Sequence, residues 1–341
     1  MSLTPREIPT GAVRYNTDSN KMEVYIGDTW LQVAVSSPDL GNSAAGVRGL
    51  NMGGQSPGNT ATNSIEMITI STAGSAADFG DTTQATYSGG CVGSRTRGVY
   101  FHSHAPSTTN VIDFVTFATT GNAQDFGDRT STEQWFGAFG NQTRGIKSGA
   151  WSPGSNILSF VTIATTGDAQ DFGDLQNPAQ TDGCTASPTR GLIFFGASPG
   201  NNYYNWIDYV TIATTGNTQE FGESSFGSAV YGNTAGGNST RGISYGGAPT
   251  APIEYVTIAS TGNTTRFGDF IPTGHNTQIR YGATMSSSTR MVVGGGYTPA
   301  AIEDYYYINI ATEGTFVEFG DLSVNSQRKF NKGCSNGHGG L

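Results

Sequence analysis

The sequence predicts an all-β fold, and three observations carry that expectation. The first is a phrase of the type Ile-Asp-Tyr-Val-Thr-Ile-Ala-Thr-Thr-Gly-Asn, then Phe-Gly-Asp, which recurs six times with small variations. Its copies begin near Ile65, Ile112, Leu158, Ile207, Ile253 and Tyr305, with Phe-Gly pairs at Phe79, Phe126, Phe172, Phe221, Phe267 and Phe319. Successive pairs lie 46 to 52 residues apart, the size of one supersecondary unit of about four strands. The second observation is composition. Gly accounts for 49 of 341 residues and charged side chains for only 13%, a mix suited to many short strands and tight turns. The third concerns the ends. The first phrase, residues 47–81, has no convincing first strand, whereas residues 330–336 supply a spare one. An open ring would leave two bare sheet edges. Together these features predict a six-bladed β-propeller over residues 37–341, closed by N- and C-terminal strands, after a short N-terminal β segment at 1–36.

Within a copy the elements follow in order. In the one beginning at residue 229, a small, Gly-rich first strand runs to Gly237. Thr240-Arg241-Gly242 opens a second strand, Ile243-Ser244-Tyr245, which ends at Gly246-Gly247. A third strand, 253–259, reverses at Ser260-Thr261-Gly262-Asn263 into a fourth that ends at Phe267-Gly268-Asp269. Third strands are apolar on both faces, as with Ile112 and Phe114 against Val115 and Phe117. That pattern fits a strand sandwiched between neighbouring sheets. Thr-Gly-Asn offers Gly and Asn where a hairpin needs positive φ. The connections between strands one and two, and three and four, are short and uniform. Those between two and three, and four and one, vary. In an up-and-down sheet the variable ones share one side, and functional variety concentrates in loops on a rigid scaffold. The loop side is therefore the expected binding face.

Residues 9–33 follow another pattern. Short alternating runs, from Val13 to Tyr15 and from Met22 to Ile26, flank an Asp18-Ser19-Asn20 turn, and Gly27-Asp28 turns into Trp30. Three strands this short cannot bury enough surface alone, so they need to dock on something. Residues 34–45, rich in Ser, Gly and Asn, read as a linker.

The run Gly11-Ala12-Val13-Arg14-Tyr15-Asn16-Thr17, with Glu23-Val24-Tyr25-Ile26-Gly27-Asp28-Thr29-Trp30, resembles a segment common in bacteriophage tail-fibre and other virion proteins. The six-fold phrase is similar to repeats in virion structural proteins of marine phages, including those that infect cyanobacteria. The resemblance implies a phage-particle component, often oligomeric, with a homotrimer expected. Residues 1–36 would attach it to other virion proteins through Tyr15, Tyr25 and Trp30, while the distal part meets a surface. A weaker likeness is to kelch blades. The pairs Gly53-Gly54, Gly246-Gly247 and Gly294-Gly295 resemble the kelch diglycine, and the Phe of Phe-Gly-Asp stands where kelch has Trp. The second to fourth copies place His102-Ser103, Gly149-Ala150 and Gly196-Ala197 there instead.

Candidates for chemistry are few. Cys91 and Cys184 each lie six residues before a repeated Arg, where other copies carry Ala138, Ala235 and Thr284, and Cys334 is assigned the same slot. A place that accepts Cys, Ala or Thr reads as a small buried site rather than a disulfide or metal ligand. The repeated acids Asp81, Asp128, Asp174, Glu223, Asp269 and Asp321 read as turn or hydrogen-bond elements. The repeated Arg48, Arg97, Arg144, Arg190, Arg241 and Arg290 read as donors to carbonyls of the next hairpin turn, with an anion-binding ring as the alternative. Non-repeated acids (Glu133, Asp182, Glu303, Asp304) are scattered, no nucleophile elbow or phosphate loop is present, and the four His lack metal-ligand spacing, although His102 and His104 alternate on one strand face. No cofactor is expected. The variable loops carry aromatic residues that no repeat requires: His102, His104, Trp151, Tyr203, Tyr204 and Tyr297, with Trp206 assigned to packing. Exposed aromatics can stack on sugar rings or anchor a protein contact.

Net charge is −9, against a nucleic-acid partner. No stretch approaches the roughly 18 apolar residues of a membrane helix, and the first residues lack an apolar signal core. The expectation is a non-enzymatic phage virion protein, a tail-fibre or receptor-binding component that recognises a host surface glycan or protein through the loop face. The alternatives are a capsid or tail decoration without host ligand, or a polysaccharide-degrading tailspike.

Overall fold

A computed structural model describes residues 9–16, 21–26, 29–32, 47–104, 107–198, 202–225, 230–247, 252–269, 271, 278–323 and 327–341. The chain divides into two compact units, Met1–Ser43 and Ala44–Leu341. The expected turns at Asp18-Ser19-Asn20 and Gly27-Asp28, the linker at 34–45 and the boundary after residue 36 lie outside the described residues.

In the smaller unit, Val13–Asn16, Lys21–Ile26 and Thr29–Gln32 form a three-stranded antiparallel sheet in chain order. Its register pairs Val13 with Val24 and Val24 with Leu31, and on the other face Arg14 with Glu23 and Tyr25 with Trp30. Arg14 binds Glu23 at 2.8 Å and lies over the Trp30 ring at 4.1 Å. Tyr25 and Trp30 therefore belong to this polar face. Tyr15 belongs to the opposite one with Val13, Ile26 and Leu31, all four exposed. The three expected attachment aromatics thus fall on two faces.

The larger unit is all-β, with six four-stranded antiparallel sheets. The first sheet joins Lys332–Ser335 to Arg48–Met52, Ser64–Thr69 and Ala77–Asp81. Cys334 pairs there with Leu50 and Gly333 with Asn51, an arrangement consistent with propeller closure. Each of the other five sheets is an up-and-down meander whose first strand is Gly90–Gly93, Gly137–Gly140, Gly183–Ala186, Thr234–Gly237 or Ala283–Ser286. Every first strand packs on that of the next sheet, and Lys332–Ser335 packs on both Ala283–Ser286 and Gly90–Gly93. The cycle has no gap.

The register corrects one cysteine. Cys91 pairs with Tyr100 and Cys184 with Ile193, and the corresponding position of the first sheet holds Gly333. Cys334 sits one residue further on and faces the other way. All three thiols are free and buried. The diglycine shifts similarly in the sixth sheet. Gly295 and Gly296 have φ of +62° and +114°, matching +61° and +106° at Gly53 and Gly54, while Gly294 still belongs to its strand.

Third strands are sandwiched as their composition predicts. Ile112 packs in one cluster with Phe136, Val161 and Ile163 of the third sheet. Val115 and Phe117 pack in another with Leu50, Met52 and Ile65 of the first.

Two polar clamps repeat at every junction between sheets. In the first, the repeated Arg donates from Nη1 to carbonyls just past the next sheet's third strand: Arg97 to Ile163 at 3.1 Å, Arg144 to Ile212 at 2.8 Å, Arg190 to Ile258 at 3.0 Å. Arg241 reaches Ile310, Arg290 reaches Ile70 and Arg48 reaches Phe117, so the series returns to its start. Five of these guanidinium groups lie over an aromatic ring of their own sheet, from Phe114 at 4.5 Å to Tyr209 at 4.9 Å. The carbonyl-donor reading of these arginines is therefore correct.

In the second clamp, Thr-Gly-Asn meets Phe-Gly-Asp of the preceding sheet. Gly121 N–H donates to the Phe79 carbonyl at 2.8 Å, and Gly167, Gly216, Gly262, Gly314 and Gly74 repeat the bond to Phe126, Phe172, Phe221, Phe267 and Phe319. Asn122 Oδ1 accepts from Asp81 N–H at 3.1 Å, as Asn217 does from Asp174 and Asn263 from Glu223. The expectation that this Asn supplies a positive φ is corrected: only the Gly has one, and the Asn side chain bridges sheets. The acids contribute mainly backbone atoms, such as the Asp81 carbonyl accepting from Ala123 N–H at 2.8 Å.

Three outcomes test this account. A chain lacking residues 332–341 loses the first strand of the first sheet and fails to show a cooperative melt; a soluble monomer melting at the parent temperature contradicts closure. Arg190→Ala removes charge-assisted bonds and lowers unfolding free energy by about 1.5–3 kcal/mol, read from denaturant midpoints, with Arg190→Lys restoring little; an unchanged midpoint contradicts the clamp. At Gly127 (φ +144°) an added Cβ would lie 2.6 Å from the Gly167 carbonyl, whereas at Gly121 (φ +148°) nothing lies within 4 Å. Gly127→Ala should therefore lower the melting temperature clearly more than Gly121→Ala; equal losses mean that backbone strain alone is at work.

Candidate functional site

The arginine clamp sits where strands one and three end, whereas the second clamp runs from the turn after one sheet's third strand to the end of the preceding sheet's fourth strand. The side where strands one and three begin carries further contacts. The second residue of the repeated phrase is a buried acid in four of the six copies, Glu66, Asp113, Asp208 and Glu254, and it reaches into the connection arriving from the preceding sheet. Asp113 accepts from Thr83 N–H at 2.7 Å, Glu254 from Ser224 Oγ at 2.7 Å, and Asp208 from Gln176 Nε2 at 3.2 Å. Glu66 takes Arg328 and Ser323. The third sheet has Ser159 at this position, and Glu133 enters from the connection to meet Lys147 and Arg129 instead. Burial pushes Lys147 down to about 8 and Asp208 up to about 6.

His102 is not on the surface. Its Nε2 meets Asp113 Oδ2 at 2.7 Å and its Nδ1 meets Thr86 Oγ1 at 2.7 Å, and all three residues are 0% exposed. The Asp113 carboxylate also accepts from Thr83; it can only accept, so Nε2–H donates to it, and Nδ1 shares a hydrogen bond with the Thr86 hydroxyl. The bonding order resembles a nucleophile triad, but no substrate can reach a fully buried hydroxyl. The expectation of His102 as an exposed recognition residue is corrected: it follows the second strand, in the connection, but is fully buried. His104 points elsewhere, edge-on to Tyr87 at 5.2 Å. Among the described residues no group of three or more His, Cys, Asp or Glu side chains is placed to hold a metal.

On this loop face a cavity of about 280 Å³ opens among Trp135, Trp151, Tyr203, Tyr231 and Tyr281. Gln180 and Ala197 complete its lining. Trp135 and Trp151 come from the third sheet's loops, Tyr203 from a long hairpin of the fourth, Tyr231 and Tyr281 from the approaches to the first strands of the fifth and sixth. Tyr203, 38% exposed, stacks on Tyr231 at 4.9 Å and 18°. Tyr281 meets Trp135 at 5.7 Å and Phe330 at 4.8 Å, and Phe330 meets Trp135 at 4.8 Å. The aromatic floor continues through Tyr87 to His104.

The backbone beneath this floor is strained. Two residues before the first strand, φ is positive at Ser88, Trp135, Gly232, Tyr281 and Phe330. The turn evidently demands that conformation, and Gly232 meets it without penalty. Bulky residues in the left-handed region cost of order 1–3 kcal/mol each and persist only where the surroundings hold them. Three such aromatics in mutual contact mark this mouth as a place where side chains matter more than backbone ease.

Of the six expected recognition residues, the structure brings Trp151 and Tyr203 into the cavity. Tyr297 does not line it but is linked to its wall by Arg280, which lies over both the Tyr297 ring at 4.9 Å and the Tyr231 ring at 6.0 Å. Tyr204 alternates to the other side of its strand and packs on Trp206 at 5.6 Å, and Trp206 packs on the core beneath, as expected. The sequence reading missed Trp135, Tyr231, Tyr281 and Phe330. The signal was there: aligned on the first strand, the position two before it reads Ser88, Trp135, Thr181, Gly232, Tyr281, Phe330, a variable column within otherwise constant repeats.

A second cavity, about 80 Å³, runs between the first strands and is lined largely by Gly, Ala, Thr and Cys. Lys332 of the first sheet binds Asp182 of the fourth across it at 2.7 Å. At the Gly93 end of this cavity His338 Nε2–H donates to the Gly93 carbonyl at 2.7 Å, and its Nδ1 accepts from Gly340 N–H. At this volume the cavity is well below the usual size of a small-molecule site.

No protein-family model matches the chain, and no curated protein is similar to it in sequence.

The buried acids generate a pH dependence. The Asp208 carboxyl rises to about 6 from an ordinary 3.8, chiefly through burial. The folded state therefore holds that proton more tightly, and this contribution to stability is complete below pH 3.8 and lost as pH rises towards 6. Asp208→Asn keeps the neutral form at every pH. Its melting temperature relative to the parent should climb through that window and then level; a pH-independent difference contradicts the shift.

Proposed function

We propose that the larger unit is a six-bladed β-propeller and that the protein is a non-enzymatic bacteriophage virion component, a tail-fibre or receptor-binding protein that recognises a host surface through its loop face. One observation carries the reading: five aromatic side chains from four consecutive sheets converge on a single cavity on the face whose loops vary. Such a surface offers large, stiff rings at small entropic cost, the property of recognition anchors. The lining supplies rings and an amide rather than paired carboxylates, which favours binding over glycoside hydrolysis. The phage resemblance of residues 11–30 and of the repeated phrase gives the setting. The exposed apolar face of the N-terminal sheet, with Val13, Tyr15, Ile26 and Leu31, suits attachment to other virion proteins, and a homotrimer is the assembly this resemblance implies.

The test is adsorption of fluorescently labelled protein to a panel of marine bacteria that includes cyanobacteria. Saturable adsorption is expected, with Trp151→Ala and Tyr203→Ala each weakening it about tenfold (roughly 1.4 kcal/mol) and Tyr204→Ala leaving it unchanged. Failure of the parent to adsorb to any strain supports a decoration protein instead, and release of sugar fragments from host polysaccharide supports a tailspike.

A further inference from the structure

Basic residues in this chain are scarce and mostly committed. Of the 17 Lys and Arg, six form the clamp series. Arg129, Lys147, Arg328 and Lys332 are held by Glu133, Glu66 and Asp182, and Arg14 and Arg266 by Glu23 and Asp269. Arg95 lies in the turn between strands one and two of the second sheet, whereas Arg280 and Lys329 lie elsewhere. Both are half-buried on the loop face, and neither forms an ion pair among the described residues. Each lies over the same ring, Tyr297, at 4.9 Å and 5.4 Å.

Their other contacts lead to the cavity. Arg280 Nη1 donates to the Tyr231 hydroxyl at 3.3 Å, and Tyr231 is a wall of the cavity stacked on Tyr203. Lys329 donates to Asn59 Oδ1 at 2.8 Å and lies over Phe330 at 5.4 Å, which packs on Trp135 and Tyr281. The acids nearest in sequence to the cavity wall, Asp182 and Glu133, are already taken, the first by Lys332 and Gln180 and the second by Lys147 and Arg129. Two cations therefore rest on the rim of an aromatic floor with no carboxylate assigned to them, in a chain whose net charge is −9.

We infer that the ligand of this face is an anionic saccharide. A sugar ring stacks in the cavity on Trp151 and Tyr203, and its carboxylate or sulfate group is held at the rim by Arg280 and Lys329. Rings alone bind any sugar, so the cations set the specificity. A planar guanidinium presents paired N–H donors to an oxyanion, and its position against Tyr231 and Tyr297 keeps it in place before the ligand arrives. The overall negative charge works against indiscriminate polyanion binding, so selectivity has to come from this local pair. The inference rests on the recognition reading above and deepens it.

The experiment measures binding of the full-length protein by calorimetry to three polymers: polygalacturonate, dextran sulfate and neutral dextran. At least one charged polymer should bind about tenfold more tightly than dextran, and the two charged probes tell carboxylate from sulfate. Raising ionic strength should weaken that binding in the unmodified protein, a readout that needs no variant. The double substitution Arg280→Gln with Lys329→Gln, checked for an unchanged melting temperature, should reduce binding to the dextran level, and Arg280→Lys should retain part of it. Equal affinity for dextran and the charged polymers overturns the inference, as does full affinity in the double variant. If that variant still adsorbs to cells while Tyr203→Ala does not, the charge assignment is wrong and surface recognition stands. If the unmodified protein neither adsorbs to cells nor binds any polymer, both fall together.

Discussion

A guanidinium lying on an aromatic ring and donating to carbonyls of the next sheet is the contact on which the rest of this structure depends. A four-stranded sheet that is apolar on both faces has no stable existence alone, and hydrophobic burial between sheets has no preferred direction. The arginines supply direction. Each fixes how far one sheet lies from the next by charge-assisted bonds to the end of a strand, as with Arg190 and the Ile258 and Ala259 carbonyls at 3.0 and 2.9 Å. The Gly-to-Phe backbone bond beside it sets the approach more tightly, because only Gly lets the Phe-Gly-Asp bulge meet the neighbouring turn. Repeated six times without a gap, the two clamps make each sheet a condition for its neighbours.

The arginine contacts are confined to the side where strands one and three end, and this confinement frees the connections on the other. Where the third strands begin, the contacts are buried acids reaching individual partners: Thr83 for Asp113, Ser224 for Glu254, Arg328 for Glu66. These bonds anchor connections of unequal length without dictating their sequence. Loop residues there answer to local demands, and three of them, Trp135, Tyr281 and Phe330, hold a left-handed backbone that glycine would adopt more easily. A rigid base with a permissive rim is the arrangement the proposed recognition role requires.

The repetition made the fold legible. A phrase present six times states strand, turn and strand again, and it states that any residue inside it serves architecture first, which is why the arginines were read correctly and the acids were not taken for a catalytic ring. Repetition misled where it ran out. With no arginine after it, Cys334 was aligned one residue off its true register, because only strand pairing shows that Gly333 occupies the small slot. Nothing in the sequence marks His102 as buried, because its partners, Thr86 and Asp113, are distant in sequence or hidden inside the phrase. The cavity was half legible: Trp151 and Tyr203 stand out as aromatic insertions, but Trp135 and Tyr281 sit in a column whose variability means something only once the first strands are known to converge. The separation of Tyr203 from Tyr204 follows from strand alternation and was available all along.

The clamp series is tested most directly by native-state hydrogen exchange at the turn amides of Gly74, Gly121, Gly167, Gly216, Gly262 and Gly314, each of which donates to a Phe carbonyl of the preceding sheet. If every junction depends on every other, all six exchange only through global unfolding, with one protection level and one denaturant dependence. The junction between the last and first sheets is the decisive one. A Gly74 amide that exchanges by local opening while the other five remain protected would show an open seam and contradict the account.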